Sequence, residues 1–376
     1  MFDLLMQPSM PTVPTGPIKT VINALSRPEP FLSLSVLGFA LSLLWYRRWT
    51  KPLIAGGLAL AFIAFYGLSM LDHNFMLIIA KPDNIPITIM IFAFGFFLWL
   101  SLRQAALNDE RRERGEPLRE AGADDKVLVW PDLVYTELIA LVICTVVMIV
   151  WAIMLRAPLE QPANPQTAPN PSKAPWYFLG LQELLVYFDP WIAGVLLPGL
   201  IIVGLCAIPY IDKNPLGNGY YTLKERPFAI GMFLFGFIIM WIVLIVLGTF
   251  LRGPNWNFFG PYEYWDPHAP AALVNVQLSE LFWVKLLGGG PPSGFPLAFL
   301  VRELPGFIFL GLFFVFLPWH LAKNVFRKMY VQIGFARYAV LMILLLWMAL
   351  VPIKMVFRWI FNGKYFLQIP EWFFNI

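Results

Sequence analysis

Long uncharged apolar runs alternate along the chain with shorter segments that carry most of its charges. A charge at the middle of a bilayer costs about 2.5–3.5 kcal/mol, so ionised residues mark the ends of candidate membrane spans. Runs of this length without period-two alternation must be helical in lipid, because the backbone has to satisfy its own hydrogen bonds there. The pattern predicts eight transmembrane helices, over residues 30–46, 52–71, 84–102, 133–155, 190–211, 227–251, 304–322 and 338–353.

The composition agrees with this pattern. Of the 376 residues, 59% are hydrophobic and 13% are charged, whereas an ordinary soluble domain has about 25% charged residues. These values exclude a disordered, fibrous or disulfide-framework protein and disfavour a water-soluble globule. The fold class that we predict is an all-α integral membrane protein.

The basic residues predict an orientation in the membrane. Loops 47–51, 103–132, 212–226 and 323–337 hold 16 of the 27 lysines and arginines, which predicts that they are cytoplasmic. Both termini and the loop 156–189 then lie on the outer face. The net charge of +4 comes without a basic stripe interleaved with aromatic residues, so we expect no nucleic-acid partner.

Two outer loops have distinctive compositions. Prolines recur every few residues between Pro158 and Pro175, which predicts a stiff, extended path that leads into a short helix near the interface. The loop from Arg252 to about Phe299 begins with six aromatic residues and continues with helical apolar spacing over 273–287. We interpret the aromatics as an interfacial belt and the later part as a surface helix, with a docking surface for an outer partner as the alternative.

Residues that could ligate a metal or haem are scarce. The histidines are His73, His268 and His320, and the cysteines Cys144 and Cys206 lie inside apolar runs. This set cannot supply the paired histidines that two haems across a helix bundle require, and it contains no covalent haem motif and no cluster motif. We therefore predict no metal ligand in this chain.

Between Trp130 and Gly253 the chain carries a series of motifs: Trp130-Pro131-Asp132, Ala157-Pro158-Leu159-Glu160, Pro162-Ala163-Asn164-Pro165, Pro175-Trp176-Tyr177-Phe178, Pro209-Tyr210-Ile211-Asp212 and Arg226-Pro227. In their order and spacing these motifs resemble the C-terminal part of cytochrome b, which also occurs as a separate subunit IV. The resemblance implies three membrane helices, known in that family as E, F and G. The segment Arg103 to Lys126 carries charges of both signs packed together, which predicts a solvated helical linker at the membrane surface. With this boundary, the chain divides into an N-terminal three-helix region (1–103), a charged inner linker (104–129), a cytochrome b-like domain (130–253) and an outer aromatic loop with two more helices (254–376).

In that family, the loop between the first two of these helices carries Pro-Glu-Trp-Tyr and lines the outer quinol-oxidation site. The resemblance implies that Pro175, Trp176, Tyr177, Phe178 and Leu179 form walls of a quinol pocket. Pro175, however, stands where the family has the glutamate that accepts a quinol proton.

Two nearby carboxylates are candidates for the missing role, Glu183 and Asp189. On a helix Glu183 lies about one turn from Leu179, so we predict that it accepts the proton. Tyr177 is the second residue that we predict to be catalytic. A structural hydrogen bond is the alternative for Glu183. A second sequence, Pro370-Glu371-Trp372-Phe373, matches the motif more closely in its letters but lacks the flanking helices, so we interpret it as a coincidence.

The resemblance implies a subunit of a quinol-cytochrome c oxidoreductase in a bacterial inner membrane, which is not active alone. Its implied partners are a cytochrome b N-terminal-type chain that carries the b haems, a Rieske iron–sulfur protein and a c-type cytochrome, in a dimeric complex. A non-catalytic scaffold subunit is the main alternative. A transporter component is less favoured, because such proteins usually carry ionisable residues in mid-span, and these spans are almost free of charge.

Overall fold

The computed structural model describes residues 16–122, 127–154, 162–166, 169–217, 219–265, 274–294 and 297–376. In this part of the chain, seven helices are long and apolar enough to cross a membrane, and an eighth apolar helix is shorter. They occupy the positions of the eight predicted spans, which confirms an all-α membrane protein. We label the eight, together with the short helix Leu179–Tyr187, as α1 Pro28–Leu44, α2 Pro52–Ser69, α3 Pro82–Glu113, α4 Val129–Met154, α5 Leu179–Tyr187, α6 Ile192–Ile211, α7 Pro227–Leu251, α8 Leu304–Lys323 and α9 Arg327–Phe361.

Proline and glycine set several helix boundaries. Pro28, Pro52 and Pro227 each occupy the first turn of a helix, where the missing N–H has no partner to lose. Gly334 interrupts α9 with φ 77°, a conformation that glycine adopts at little cost, so the predicted span 338–353 lies wholly beyond the interruption.

Shorter elements connect the long helices. The helices are Pro17–Leu25, Tyr46–Trp49, His73–Ile79, Leu278–Glu280 continued by Leu281–Leu286, and Ala298–Arg302. Strand β1 (Val276–Gln277) pairs in parallel with β2 (Gly363–Tyr365), and β3 (Gln368–Ile369) pairs antiparallel with β4 (Phe374–Asn375). The predicted surface helix 273–287 therefore begins at Leu278, after a short strand, and residue 273 lies outside the described residues.

The main core lies among α5, α6, α7 and α9. Its most buried members include Tyr187, Ile192, Leu244, Leu247 and Leu350, each with no more than 1% of its surface exposed. By contrast, α4 has no buried residue among those described. A helix that is apolar all round is typical of a membrane span.

Polar contacts join the loops into two groups at opposite ends of the bundle. At one end the Tyr46 hydroxyl donates to Asp109 at 2.9 Å, and the Leu223 amide donates to the same carboxylate at 3.0 Å. At the other end Lys19 pairs with Asp72 at 2.5 Å, and the Tyr365 hydroxyl donates to Asp189 at 3.0 Å. This grouping agrees with the predicted alternation of loops, while the choice of the cytoplasmic end stays a prediction.

The charged segment after residue 103 is partly built into the fold. Helix α3 continues through it to Glu113, and Asn108 and Asp109 are fully buried. The solvated helical linker predicted over 104–129 is therefore helical in its first part, but this part packs against the loop 212–226 rather than standing free in water.

Candidate functional site

The motif Pro175-Trp176-Tyr177-Phe178 lies just before α5. Pro175 precedes a single turn, Trp176–Phe178, and α5 follows directly, which confirms the predicted short helix after the proline-rich loop. The side chain of Gln182 fixes the approach to this turn: its Oε1 accepts from the Ala174 amide at 2.8 Å, and its Nε2 donates to the Ser172 carbonyl at 2.9 Å. Part of the earlier proline-rich path, residues 155–161 and 167–168, lies outside the described residues.

The predicted pocket residues divide into an outward group and an inward one. Tyr177 and Phe178 expose about half of their surface, 49% and 52%, and their rings lie 4.8 Å apart. The Trp176 ring meets Tyr177 edge to face at 5.7 Å. Leu179, in contrast, is 2% exposed and points into the core. Three adjacent aromatic rings therefore form a wall on the surface of the protein.

Glu183 lies on the inward side of α5, with Leu179 one turn before it and Tyr187 one turn after it. Its side chain has no exposed surface. Glu183 Oε1 accepts from the Tyr187 hydroxyl at 2.8 Å, and Oε2 accepts from the Trp256 indole N–H at 3.0 Å. The predicted position one turn from Leu179 is correct, and the carboxylate is buried, whereas the rings of Tyr177 and Phe178 are half exposed.

Arg252 is the partner that neutralises this buried carboxylate. Its Nη2 lies 2.6 Å from Glu183 Oε1, and its Nε lies 3.0 Å from Oε2, so the guanidinium binds both oxygens. The same guanidinium donates to the Trp256 carbonyl at 2.5 Å and lies 3.6 Å from the centre of the Phe258 ring. Bidentate hydrogen bonds of this kind are the contacts that make a buried ion pair tolerable.

The sequence offered little sign of this pairing. Arg252 ends an apolar run, which indicates only the end of a span, and the aromatic residues around Trp256 are typical of an interfacial belt. The pairing joins α5 to a segment 69 positions later in the chain, and no spacing rule covers such a distance.

Four hydrogen-bond donors surround the Glu183 carboxylate, which matters for its predicted role as a proton acceptor. Tyr187, Trp256 and two nitrogens of Arg252 occupy the carboxylate oxygens, and a proton acceptor must have an oxygen within reach of the group that loses the proton. These contacts favour the structural alternative that the sequence left open. Nothing in the structure tests the proton transfer itself, which stays a prediction.

Lys173 is a second charged residue of this region that the sequence interpretation passed over. Its Nζ donates to the Thr249 carbonyl at 2.8 Å and lies 4.8 Å from the centre of the Trp265 ring. Burial lowers the pKa of Lys173 to about 7, helped by repulsion from Lys81 and Arg252 and opposed by attraction to Glu183.

The other motif-like sequence lies elsewhere on the same end of the molecule. Glu371 is half exposed and binds Arg302 through two contacts, at 3.1 and 3.2 Å. These two residues line a surface cavity of about 510 Å³ together with Pro291, Pro292, Ser293, Gly294 and Ala298. None of the residues 175–179 lines that cavity, so the two sequences occupy separate sites.

Ligands for a metal do not converge in the part of the chain that the structure describes. No three histidine, cysteine, aspartate or glutamate side chains come together there. His320 contacts Asn324, the residue that directly follows α8, and His268 lies outside the described residues.

Comparison with known families supports the resemblance found in the sequence. Residues 162–262 match the family described as cytochrome b(C-terminal)/b6/petD. The matched segment contains the aromatic wall, Glu183, Arg252 and Lys173. No solved structure matches the chain.

Proposed function

We infer that this membrane protein, whose residues 162–262 match the cytochrome b(C-terminal)/b6/petD family, is a subunit of a cytochrome bc- or b6f-type redox complex. The match to that family is the observation that carries the proposal. Membership of such a complex gives the chain a redox role as part of a larger assembly.

The finer proposal is that the segment 169–188 forms one wall of the outer quinol-oxidation site of a split cytochrome b. Trp176, Tyr177 and Phe178 present their rings at the surface, where a flat quinol ring packs well against aromatic faces. Leu179 supports the wall from inside, and Pro175 fixes the start of the turn.

The ion pair between Glu183 and Arg252 supports the wall from behind. Because Arg252 also binds the carbonyl of Trp256, it ties α5 to the outer end of α7 and to the loop that follows. Such a connection would hold the turn Trp176–Phe178, which carries the aromatic wall, in place while substrate binds and leaves. The predicted proton transfer to Glu183 would require one of its four donors to move aside.

The partners of this subunit follow from the same proposal. Electrons from quinol would pass to a Rieske protein and to a b haem on a partner chain, and a c-type cytochrome would receive them from the Rieske protein. The assembly would be dimeric and would lie in a bacterial inner membrane, with the loop 156–189 on the outer side and quinol protons released there.

The test is isolation of the native complex through an affinity tag on this chain. We expect b haem and a Rieske iron–sulfur signal to copurify, with quinol oxidation that an outer-site inhibitor blocks. Copurification of haem without inhibitor-sensitive quinol oxidation would favour a scaffold subunit. Recovery of the chain without haem or iron–sulfur protein would contradict the proposal.

A further inference from the structure

Two charged residues near the aromatic wall, Glu183 and Lys173, differ in their partners: among the described residues Glu183 is bound by several donors, whereas Lys173 donates to a single carbonyl. Both oxygens of Glu183 are bound by Arg252, Tyr187 or Trp256. Lys173 lies two residues before Pro175, on the loop that leads directly into the wall. We propose that the amine of Lys173 accepts a proton from quinol at this site, an inference that rests on the proposed quinol-oxidation function.

Lys173 is held in a defined position next to the motif. Gln182 on α5 binds the backbone on both sides of it, at Ser172 and at Ala174. Its Nζ contacts the Thr249 carbonyl on α7 and the face of Trp265. Backbone and side chain are therefore both anchored, so the amine has the fixed geometry that proton transfer needs.

The surroundings keep the amine available as a base near neutral pH. Partial burial removes water from the ammonium form, and the positive charges of Lys81 and Arg252 disfavour it further, while Glu183 favours it. Among the described residues, no carboxylate lies within salt-bridge distance of Nζ. With its pKa lowered to about 7, a substantial fraction of Lys173 is neutral at physiological pH, and the neutral form increases as pH rises.

Two polar atoms on the residues around Lys173 also lack a partner. Within the described ranges, Thr249 Oγ1 and Trp265 Nε1 are buried and make no hydrogen bond. Buried donors without a partner are uncommon in native proteins, and each calls for an explanation such as a water or a bound group. Both belong to the two residues that contact Lys173, so a ligand oxygen that reached the amine would also find hydrogen-bonding atoms there.

The proposed step conserves protons and electrons. Quinol gives two electrons to two one-electron acceptors, the Rieske cluster and the b haem of the proposed partners, and becomes quinone. One quinol hydroxyl transfers its proton to the neutral Lys173 amine, which becomes an ammonium and then releases the proton to water at the outer face. The second hydroxyl loses its proton to water on the same side.

The experiment compares the native complex with variants at Lys173, using a short-chain synthetic quinol and following b-haem reduction between pH 5.5 and 9. In the natural complex we expect the rate to rise as pH passes through about 7. In Lys173→Met we expect this rise to disappear and the rate at pH 8 to fall about 100-fold, the usual effect of losing a general base.

Two further variants separate proton transfer from packing. Lys173→Arg keeps a cation that can bind the Thr249 carbonyl and the Trp265 ring, but arginine stays protonated, so we expect a loss similar to that of Lys173→Met. Lys173→Ala should recover part of its rate when ethylamine is added, because a free amine can replace the missing base. Lys323→Met removes another lysine–tryptophan contact, 3.9 Å from the Trp319 ring, and should leave the pH profile unchanged.

The outcomes distinguish this inference from the proposed function. If the natural complex oxidises quinol and Lys173→Met or Lys173→Arg keeps its rate and pH profile, the role of Lys173 is wrong while the quinol site stands. If the natural complex does not oxidise quinol, both proposals fail. Equal haem content and equal thermal unfolding midpoints in the variants establish that a lost rate does not reflect lost structure.

Discussion

Glu183 and Arg252 form an ion pair inside the protein, with Nη2 2.6 Å from Oε1 and 6% or less of either side chain exposed. Glu183 lies on α5, directly after the turn that carries the aromatic wall, and Arg252 directly follows α7, so the pair joins these two helices. Replacing one member of a buried pair leaves the other charge without compensation, whereas replacing both members is often tolerated. This asymmetry provides a direct test of the arrangement around the wall.

The first prediction concerns Arg252→Met. This variant removes the guanidinium from Glu183 and from the Trp256 carbonyl, so we expect the free energy of unfolding to fall by about 3–5 kcal/mol. Denaturant titration of the purified protein in mixed micelles measures the loss. Arg252→Lys keeps the positive charge but cannot form the bidentate contact, so it should lose less of the free energy of unfolding than Arg252→Met.

The double variant Arg252→Met with Glu183→Gln is the matched control. Because it leaves no buried charge unpaired, we expect it to be more stable than Arg252→Met alone. Equal stability of the single and double variants would mean that the two residues do not interact as described.

The second prediction concerns Glu183→Gln. An amide of nearly the same shape keeps part of the hydrogen bonding, so the turn should stay folded but less firmly held. We expect a lower maximal rate of quinol oxidation, with the rise in rate retained but moved to lower pH, because Lys173 loses the negative charge that favours its ammonium form. Complete loss of the pH-dependent rise would instead support Glu183 as the proton acceptor.

Glu371→Gln is the comparison for Glu183→Gln. Glu371 belongs to the second motif-like sequence, is half exposed, and binds Arg302 away from the wall. We expect quinol oxidation and its pH dependence to match those of the natural complex. A loss of activity in this variant would instead indicate that residues 370–373 belong to the quinol site.

The third prediction concerns the other end of the bundle. Asp109 is fully buried and accepts from the Tyr46 hydroxyl and from the Leu223 and Lys224 amides. Asp109→Ala leaves these donors without an acceptor, so we expect a loss of about 1–3 kcal/mol in the free energy of unfolding. We also expect faster proteolysis in the loop 212–226, while unchanged proteolysis would show that this loop is held by other contacts.

The sequence was sufficient for the membrane helices because their signal is local. Each span is an uncharged run with ionised ends, so its position follows from the order of residues alone. The helix after Pro175 was also predictable, since proline favours the first turn of a helix.

Contacts between distant segments could not be predicted in this way, because the order of residues does not indicate which segments meet. Arg252 has the composition of a loop residue, and its partner stands 69 positions away. Asp109 belongs to a charged run that resembles a solvated linker, but it is buried because a loop more than 100 positions later donates two amides to it. Charges that end a membrane span and charges that pair inside the protein have the same appearance in a sequence.

The central claim is that the aromatic wall at Trp176, Tyr177 and Phe178 borders a quinol site. A photoreactive quinone analogue, bound to the native complex and mapped by mass spectrometry of the labelled peptides, tests it most directly. We predict labelling within residues 173–185, and loss of that labelling when an outer-site inhibitor is present. Labelling of residues 370–373, or of no residue in this chain, would contradict the claim.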